Sequence, residues 1–123
     1  MKRLLAATTL MLFCIAMCFA EKAIITKSLE KTLNSVTTIK AELENGHEVN
    51  DLILDTAKDW KFQLGILSVF IDHDGLDEIS RQLERLKATY AYNRDECIAS
   101  ASDLQFLIEN IINTENINAE GLL

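Results

Sequence analysis

Apolar residues recur every three or four positions along most of the chain, and this spacing constrains the fold more than any other feature. It is clearest between residues 76 and 92, where the apolar positions are Leu76, Ile79, Leu83, Leu86 and Tyr90. Such spacing places side chains on one face of an α-helix and is typical of the seam between helices packed as in a coiled coil. The chain has no proline and only four glycines, so long helices meet few breakers. We therefore predict an all-α protein.

The same spacing predicts four helices. Short turns of two to five residues place sequential helices antiparallel. The simplest architecture is an N-terminal signal or anchor helix followed by an antiparallel up-down four-helix bundle. The predicted helices cover residues 21–44, 49–71 and 76–92, and a last segment that starts at 93–96 and continues through 111. The chain therefore divides into a signal peptide or membrane anchor (residues 1–20), the bundle (residues 21–113) and a polar C-terminal tail (residues 114–123).

Residues that favour turns mark the ends of these helices. Asn45 and Gly46 tolerate the left-handed backbone conformation that ends many helices. Gly75 is predicted to break the chain before the third helix. Asn93 is predicted to cap the fourth helix, with Glu96 completing a capping box.

The first twenty residues, here called the leader, carry a targeting pattern. Lys2 and Arg3 precede an uninterrupted apolar run, Leu4–Ala20. As a helix this run is about 25 Å long, close to the hydrocarbon core of about 30 Å. Small residues flank Phe19, as at a signal-peptidase site before Glu21, so cleavage and a retained anchor both fit. In either case we expect residues 21–123 outside the cytoplasm, held by a single membrane-spanning helix or secreted.

The three cysteines do not form a disulfide framework. Cys14 and Cys18 belong to the leader, and Cys18 ends a segment similar to a bacterial lipoprotein box, which the bulky Met17 fits poorly. Cys97 is left without an intramolecular partner. It lies on the apolar stripe of the last helix, which favours a buried thiol over a cysteine that links two copies.

Charge and motif content exclude several function classes. Residues 21–123 hold 19 acidic and 10 basic side chains, a net charge of −9, which repels nucleic acid. The sequence has no nucleophile with a paired base, no phosphate-binding loop and no closed set of metal ligands. We therefore expect a non-catalytic protein with no cofactor, no small-molecule substrate and no nucleic-acid partner.

The turn before the third helix is the one candidate chemical site. Carboxylates and imidazole are ligands for divalent cations, so a cation-binding or sensing module is the alternative function. Its predicted ligands are Asp72, His73, Asp74 and Asp77. Glycine stands at the fourth position instead of the sixth, so the turn does not match a calcium loop. The structural alternative is that Asp74 caps the third helix while Asp77 and Glu78 favour its dipole.

The second predicted helix is more apolar than one buried face requires. Four residues lie off its core stripe: Phe62, Ile66, Val69 and Phe70. Either this is a central helix buried on several sides, or these residues form a surface for a protein partner. We keep both interpretations, and the second predicts a partner-binding site at these four positions.

A family resemblance covers nearly the whole chain. Its elements are a tryptophan before an apolar stretch (Trp60), an Ile-Asp-His sequence (71–73) and an acidic turn (74–78). Two helical motifs follow, at residues 83–87 and 104–108. With the N-terminal apolar helix, they resemble the bacterial family known as domain of unknown function 4363, small membrane-anchored helical proteins of Firmicutes.

The resemblance implies a retained membrane anchor and a membrane-protein partner, since members tend to be encoded near multi-pass membrane proteins. It implies no activity or ligand. Together with the residues it gives our expectation: a non-catalytic, extracytoplasmic helical bundle that is tethered to the membrane and acts by protein–protein interaction.

Overall fold

The structure, a computed structural model, describes the backbone of residues 1–121 and the side chains of residues 1–115. All regular secondary structure in that part of the chain is helical, which confirms the all-α prediction. The helices are α1 (Lys2–Glu44), α2 (Asn50–Leu67), α3 (His73–Tyr90) and α4 (Arg94–Gly121).

The four helices form an antiparallel up-down bundle. α1 contacts α2 and α4, and α3 contacts the same two helices, whereas the diagonal pairs have no close backbone approach within the described residues. At the end away from the leader, the Arg94 guanidinium donates a hydrogen bond to the His47 carbonyl, with 2.6 Å between nitrogen and oxygen. The Val49 N–H donates to the Tyr90 hydroxyl over 3.2 Å. These bonds join the α1–α2 connection to the start of α4 and the end of α3.

The leader and the first bundle helix are one continuous helix. α1 has 43 residues, and residues 1–20 are exposed throughout. Burial begins at Ile25 and recurs along one face to Leu43. The leader therefore projects from the bundle along the axis of α1.

The C-terminus of α1 ends as predicted. Gly46 has a φ of 79°, the left-handed conformation for which glycine is suited. The Gly46 N–H donates to the Leu43 carbonyl and the His47 N–H to the Glu42 carbonyl, the two bonds of a Schellman motif. His47 Nδ1 also bonds the Glu42 carboxylate, a polar contact where this motif usually has an apolar one. The motif turns the chain toward α2.

α2 ends four residues earlier than predicted. The chain leaves the helix after Leu67, and the Val69 and Phe70 N–H groups bond the carbonyls of Ile66 and Leu67 in a tight turn. Phe70 and Ile71 then pack against the core, although they follow the helix. The apolar run hides this stop in the sequence, because apolar residues continue through the turn.

α3 starts earlier than predicted. His73 is its first residue and Asp72 is its N-cap, with extended backbone and no side-chain capping bond. The predictions that Gly75 breaks the chain and that Asp74 caps the helix are therefore wrong, because both residues lie inside the first turn. The helix ends at Tyr90, two residues before the predicted end.

The predicted cap of α4 is half confirmed. Asn93 Oδ1 accepts hydrogen bonds from the N–H groups of Asp95 and Glu96, at 3.1 and 3.2 Å. The Asn93 N–H donates to the Thr89 carbonyl, so the reciprocal bond from Glu96 does not form. α4 continues to Gly121, through most of the predicted tail at 114–123. Residues 122–123 and the side chains from 116 onward lie outside the described residues, and the tail stays a prediction.

The core lies along the centre of the bundle and confirms the predicted stripes of all four helices. Trp60 is buried, and its Nε1 donates to Ser80 Oγ over 2.8 Å. Ser80 in turn donates to the Leu76 carbonyl, so the one polar group of the indole is satisfied within the core. Cys97 is fully buried, as predicted, and burial raises the pKa of its thiol. The buried apolar residues common to prediction and structure include Leu29, Val36, Ile39, Ile53, Leu76, Ile79, Leu83, Leu86, Leu104 and Ile108.

We expect Leu86→Ala to lower the free energy of unfolding by about 2–5 kcal/mol, because it removes a fully buried side chain and leaves a cavity. Glu84→Ala, at an exposed position of the same helix, should change it by less than about 0.5 kcal/mol. Urea denaturation followed by circular dichroism measures both. Equal effects would mean that the α3 seam is misplaced.

Two glycines should respond to alanine in opposite directions. Gly65 lies inside α2 and an added Cβ meets nothing within 4 Å, so Gly65→Ala should stabilise the protein by about 0.5–1 kcal/mol. Gly46→Ala should destabilise it by about 1–2 kcal/mol, because its φ is positive. Thermal unfolding of the two variants side by side tests the prediction, and a shift of the same sign in both would contradict it.

Candidate functional site

The end of the bundle that faces the leader gathers the chain's candidate functional residues. A Cβ on Gly75 would lie 3.3 Å from Ile111 Cδ1, so the first turn of α3 touches α4 here. Glu115 of α4 lies close enough to Glu21 of α1 for their charges to interact. Residues 68–75, Ile111, Glu115 and Glu21 thus share one end of the bundle, which we call the leader-side end. The acidic turn therefore lies beside the point where the apolar leader stops.

The predicted metal ligands all lie at this end and point into solvent. Asp72, His73, Asp74 and Asp77 are exposed. Among the described residues, no three His, Cys, Asp or Glu side chains are grouped as metal ligands. His73 and Asp74 are consecutive in the first turn of α3, where side chains diverge by about 100°, and Asp77 follows one turn later on a similar side. The structure does not assemble the predicted site, and cation binding stays a prediction.

These acidic residues have a local structural role. Asp72 and Asp74 lie at the N-terminus of α3, where negative charge interacts favourably with the helix dipole. Glu78 forms an ion pair with Arg81 one turn later, with 2.8 Å between Oε2 and the guanidinium. The pair contributes little at an exposed position. Helix formation alone thus accounts for the acidic residues of this turn.

Glu115 is the carboxyl group most affected by its surroundings at this end. Partial burial raises its pKa, and the nearby Glu21 carboxylate raises the pKa of Glu115 further. No local signal in the sequence marks Glu115, because its charge interaction with Glu21 joins residues far apart in the chain. Only the antiparallel packing of α1 and α4 brings the two together.

The four predicted partner-binding residues divide into two pairs. Phe62 and Val69 are 68% and 77% exposed. Ile66 is half-buried, and Phe70 packs against the core. Phe62 also borders a groove between α1 and α2 beside the Lys31–Asp59 ion pair. The structure thus leaves two separated apolar side chains on α2 and its following turn, and partner binding there stays a prediction.

Sequence reasoning missed another exposed aromatic side chain. Phe106 on α4 is 71% exposed. It lies two residues from Leu104 and two from Ile108, which are both buried, so helical spacing turns it outward. Because α2 and α4 are diagonal in the bundle, Phe106 and Phe62 are on different sides.

Most of the exposed large apolar side chains among the described residues belong to the leader. α1 is the one helix in that part of the chain that is long and apolar enough to cross a membrane, and a signal sequence meets the same criteria. Thr8 and Thr9 donate their hydroxyl groups to the carbonyls of Leu4 and Leu5, both over 2.8 Å. These bonds within the helix satisfy hydroxyl donors that would have no partner in the hydrocarbon core of a membrane.

Comparison with known families identifies the family of this chain. A family model described as Domain of unknown function (DUF4363) matches residues 19–122, most of the chain. The chain belongs to this family. The match covers Trp60, the acidic turn and the motifs on α3 and α4, and it confirms the resemblance seen in the sequence. No curated protein and no solved structure matches the chain.

Within this family member, Glu115 should make folding depend on pH. The pKa of Glu115 is raised in the folded state, so ionisation of this carboxyl group opposes folding. The contribution of Glu115 to the free energy of unfolding is therefore largest at low pH, where the group is protonated. It is lost as the pH rises through the folded-state pKa. We expect Glu115→Gln to raise the free energy of unfolding at pH 7 but not near pH 3.5, where the carboxyl group is largely protonated in both states.

Glu109→Gln provides the matched control, since Glu109 is exposed on the same helix. Urea denaturation at the two pH values measures the difference. An equal gain from Glu115→Gln at both would show that its effect is not ionisation.

Proposed function

We propose that this protein is a non-catalytic bundle, tethered to the membrane by its leader and lying outside the cytoplasm, that acts by contact with a membrane-protein partner. The observation that carries the proposal is the continuity of α1. One helix joins an exposed apolar segment to the core of the bundle, without a glycine or proline between them.

The dimensions of α1 support a tether. Leu4–Ala20 is about 25 Å long as a helix, and Lys2, Arg3 and Lys22 can extend along it to reach the two headgroup regions. The first buried residue of the bundle, Ile25, follows Ala20 by five residues, about 8 Å along the axis. The bundle would therefore stand directly on the membrane surface. A continuous helix would also fix its orientation better than a flexible linker.

Charge supports the orientation. Lys2 and Arg3 precede the apolar run, and a positively charged N-terminal flank is retained in the cytoplasm. The acidic bundle follows the run and would be placed outside. A partner in the same membrane explains why a small bundle carries a tether of this kind.

We expect the full-length chain to stay in the membrane fraction after alkaline carbonate extraction, and a C-terminal alkaline-phosphatase fusion to be active. Leu12→Arg places a charge near the centre of the apolar run, which opposes insertion by about 2.5–3.5 kcal/mol and should release the chain from the membrane. Tyr92→Arg, at an exposed position of the bundle, should leave both results unchanged.

Mass spectrometry of the mature chain completes this test. A chain that begins at Glu21 would contradict the tether, and an inactive phosphatase fusion on an intact chain would contradict the orientation. Calorimetric titration with calcium, magnesium, zinc and manganese tests the alternative function, cation binding at the acidic turn, residues 72–78.

A further inference from the structure

A seven-residue repeat runs through the whole of α1. In the bundle its members are Ile25, Thr32 and Ile39, which are at most 5% exposed. Counting back by seven from Ile25 gives three leader residues: Cys18, Met11 and Leu4. Because α1 is unbroken, these residues continue the face that is buried in the bundle, with a drift of about 20° per repeat. Ala7 and Cys14 lie between them on the same face. We call these five residues the core-continuing face.

This face differs from the rest of the leader. At about 100° per residue, Phe19 is turned by about 100° and Phe13 by about 140° from Cys18. Both aromatic side chains therefore lie away from the core-continuing face. In the bundle the corresponding face of α1 is covered by α2 and α4, whereas in the leader all of its residues are exposed. Within the bundle this face of α1 therefore packs against other helices. Within the leader, no described residue covers it.

The geometry of the bundle limits what can cover this face. Packed helices lie about 8–10 Å apart. A second copy whose leader ran parallel on this face would carry its own α1 straight into the volume that α2, α3 and α4 occupy. An antiparallel copy would place its Lys2 and Arg3 outside, against the charge rule for membrane orientation. An occupant must therefore be a helix that ends at the leader-side end of the bundle.

We propose that the core-continuing face of the leader docks one transmembrane helix of the partner protein, and that this helix ends beneath the bundle. The inference rests on the proposed function, since it requires a retained leader. The docked helix would extend the packing seam of α1 into the membrane. Its outer end would meet the carboxylates of Glu21, Asp72, Asp74 and Glu115, so a Lys or Arg there would be complementary.

Site-specific photo-cross-linking in membranes of the cells that make the protein tests this. Single thiols at positions 11, 14 and 18 report on the core-continuing face, and thiols introduced by Leu5→Cys, Leu12→Cys and Ala16→Cys report on the opposite side. Each carries benzophenone maleimide, with the other leader cysteines replaced by alanine. Cys97 can remain, because it is fully buried, and a Cys14→Ala, Cys18→Ala chain checks that it is not labelled.

We expect positions 11, 14 and 18 to give one adduct of a single size that contains a transmembrane protein. Positions 5, 12 and 16, on the opposite side, should give several-fold less of this adduct. In addition, Cys14→Trp should reduce the adduct from position 18, because it blocks close helix packing, whereas Ala16→Trp should not.

An adduct of twice the 13.9 kDa chain from the face positions would show a second copy and overturn the proposal. Equal adducts on all sides, or none, would show a leader surrounded by lipid and also overturn it. Both outcomes leave the tether intact, whereas a chain that starts at Glu21 by mass refutes the proposed function itself.

Discussion

The continuity of α1 is the constraint on which the rest of the structure depends. Its buried face, from Ile25 to Leu43, contacts both α2 and α4, and these two helices hold α3 between them. No proline or glycine occurs before Gly46, so the residues that most often kink a helix are absent from the leader and from its junction with the bundle. The direction of the leader is therefore set by the same packing that forms the core.

The helices were predictable where their polar and apolar faces differ sharply. α3 has buried residues at three- and four-residue intervals and charged residues elsewhere, so its seam was assigned correctly. Its start was not, because Gly75 has the residue type that typically breaks a helix. A single glycine weakens a helix by about 1 kcal/mol and does not end it when other interactions favour the helix. Here the missing side chain also suits the close approach of Ile111.

The candidate site was predictable only in part, because closeness in sequence is not convergence in space. Asp72, His73 and Asp74 are adjacent in the chain, but a helical turn spreads them around its axis. The charge interaction between Glu21 and Glu115 had no local signal at all, since it depends on how α1 and α4 align. One of the two interpretations of the sequence placed Phe70 with Phe62 on a partner surface, and the other buried it. It packs inward because the chain turns after Leu67, a stop that the apolar run conceals.

Charge at the leader-side end has a consequence for the proposed tether. Glu21, Asp72, Asp74 and Glu115 would lie near the headgroups, within the Debye length of about 8 Å at physiological salt. Anionic lipid would repel them, and burial, together with the nearby Glu21 carboxylate, already raises the pKa of Glu115 at this end. In a tethered chain, the short helical segment between Ala20 and Ile25 would keep the bundle from moving away from the surface. A basic group of a partner at this end would relieve both repulsions at once, which would make the leader-side end the place where a membrane partner gains most by binding.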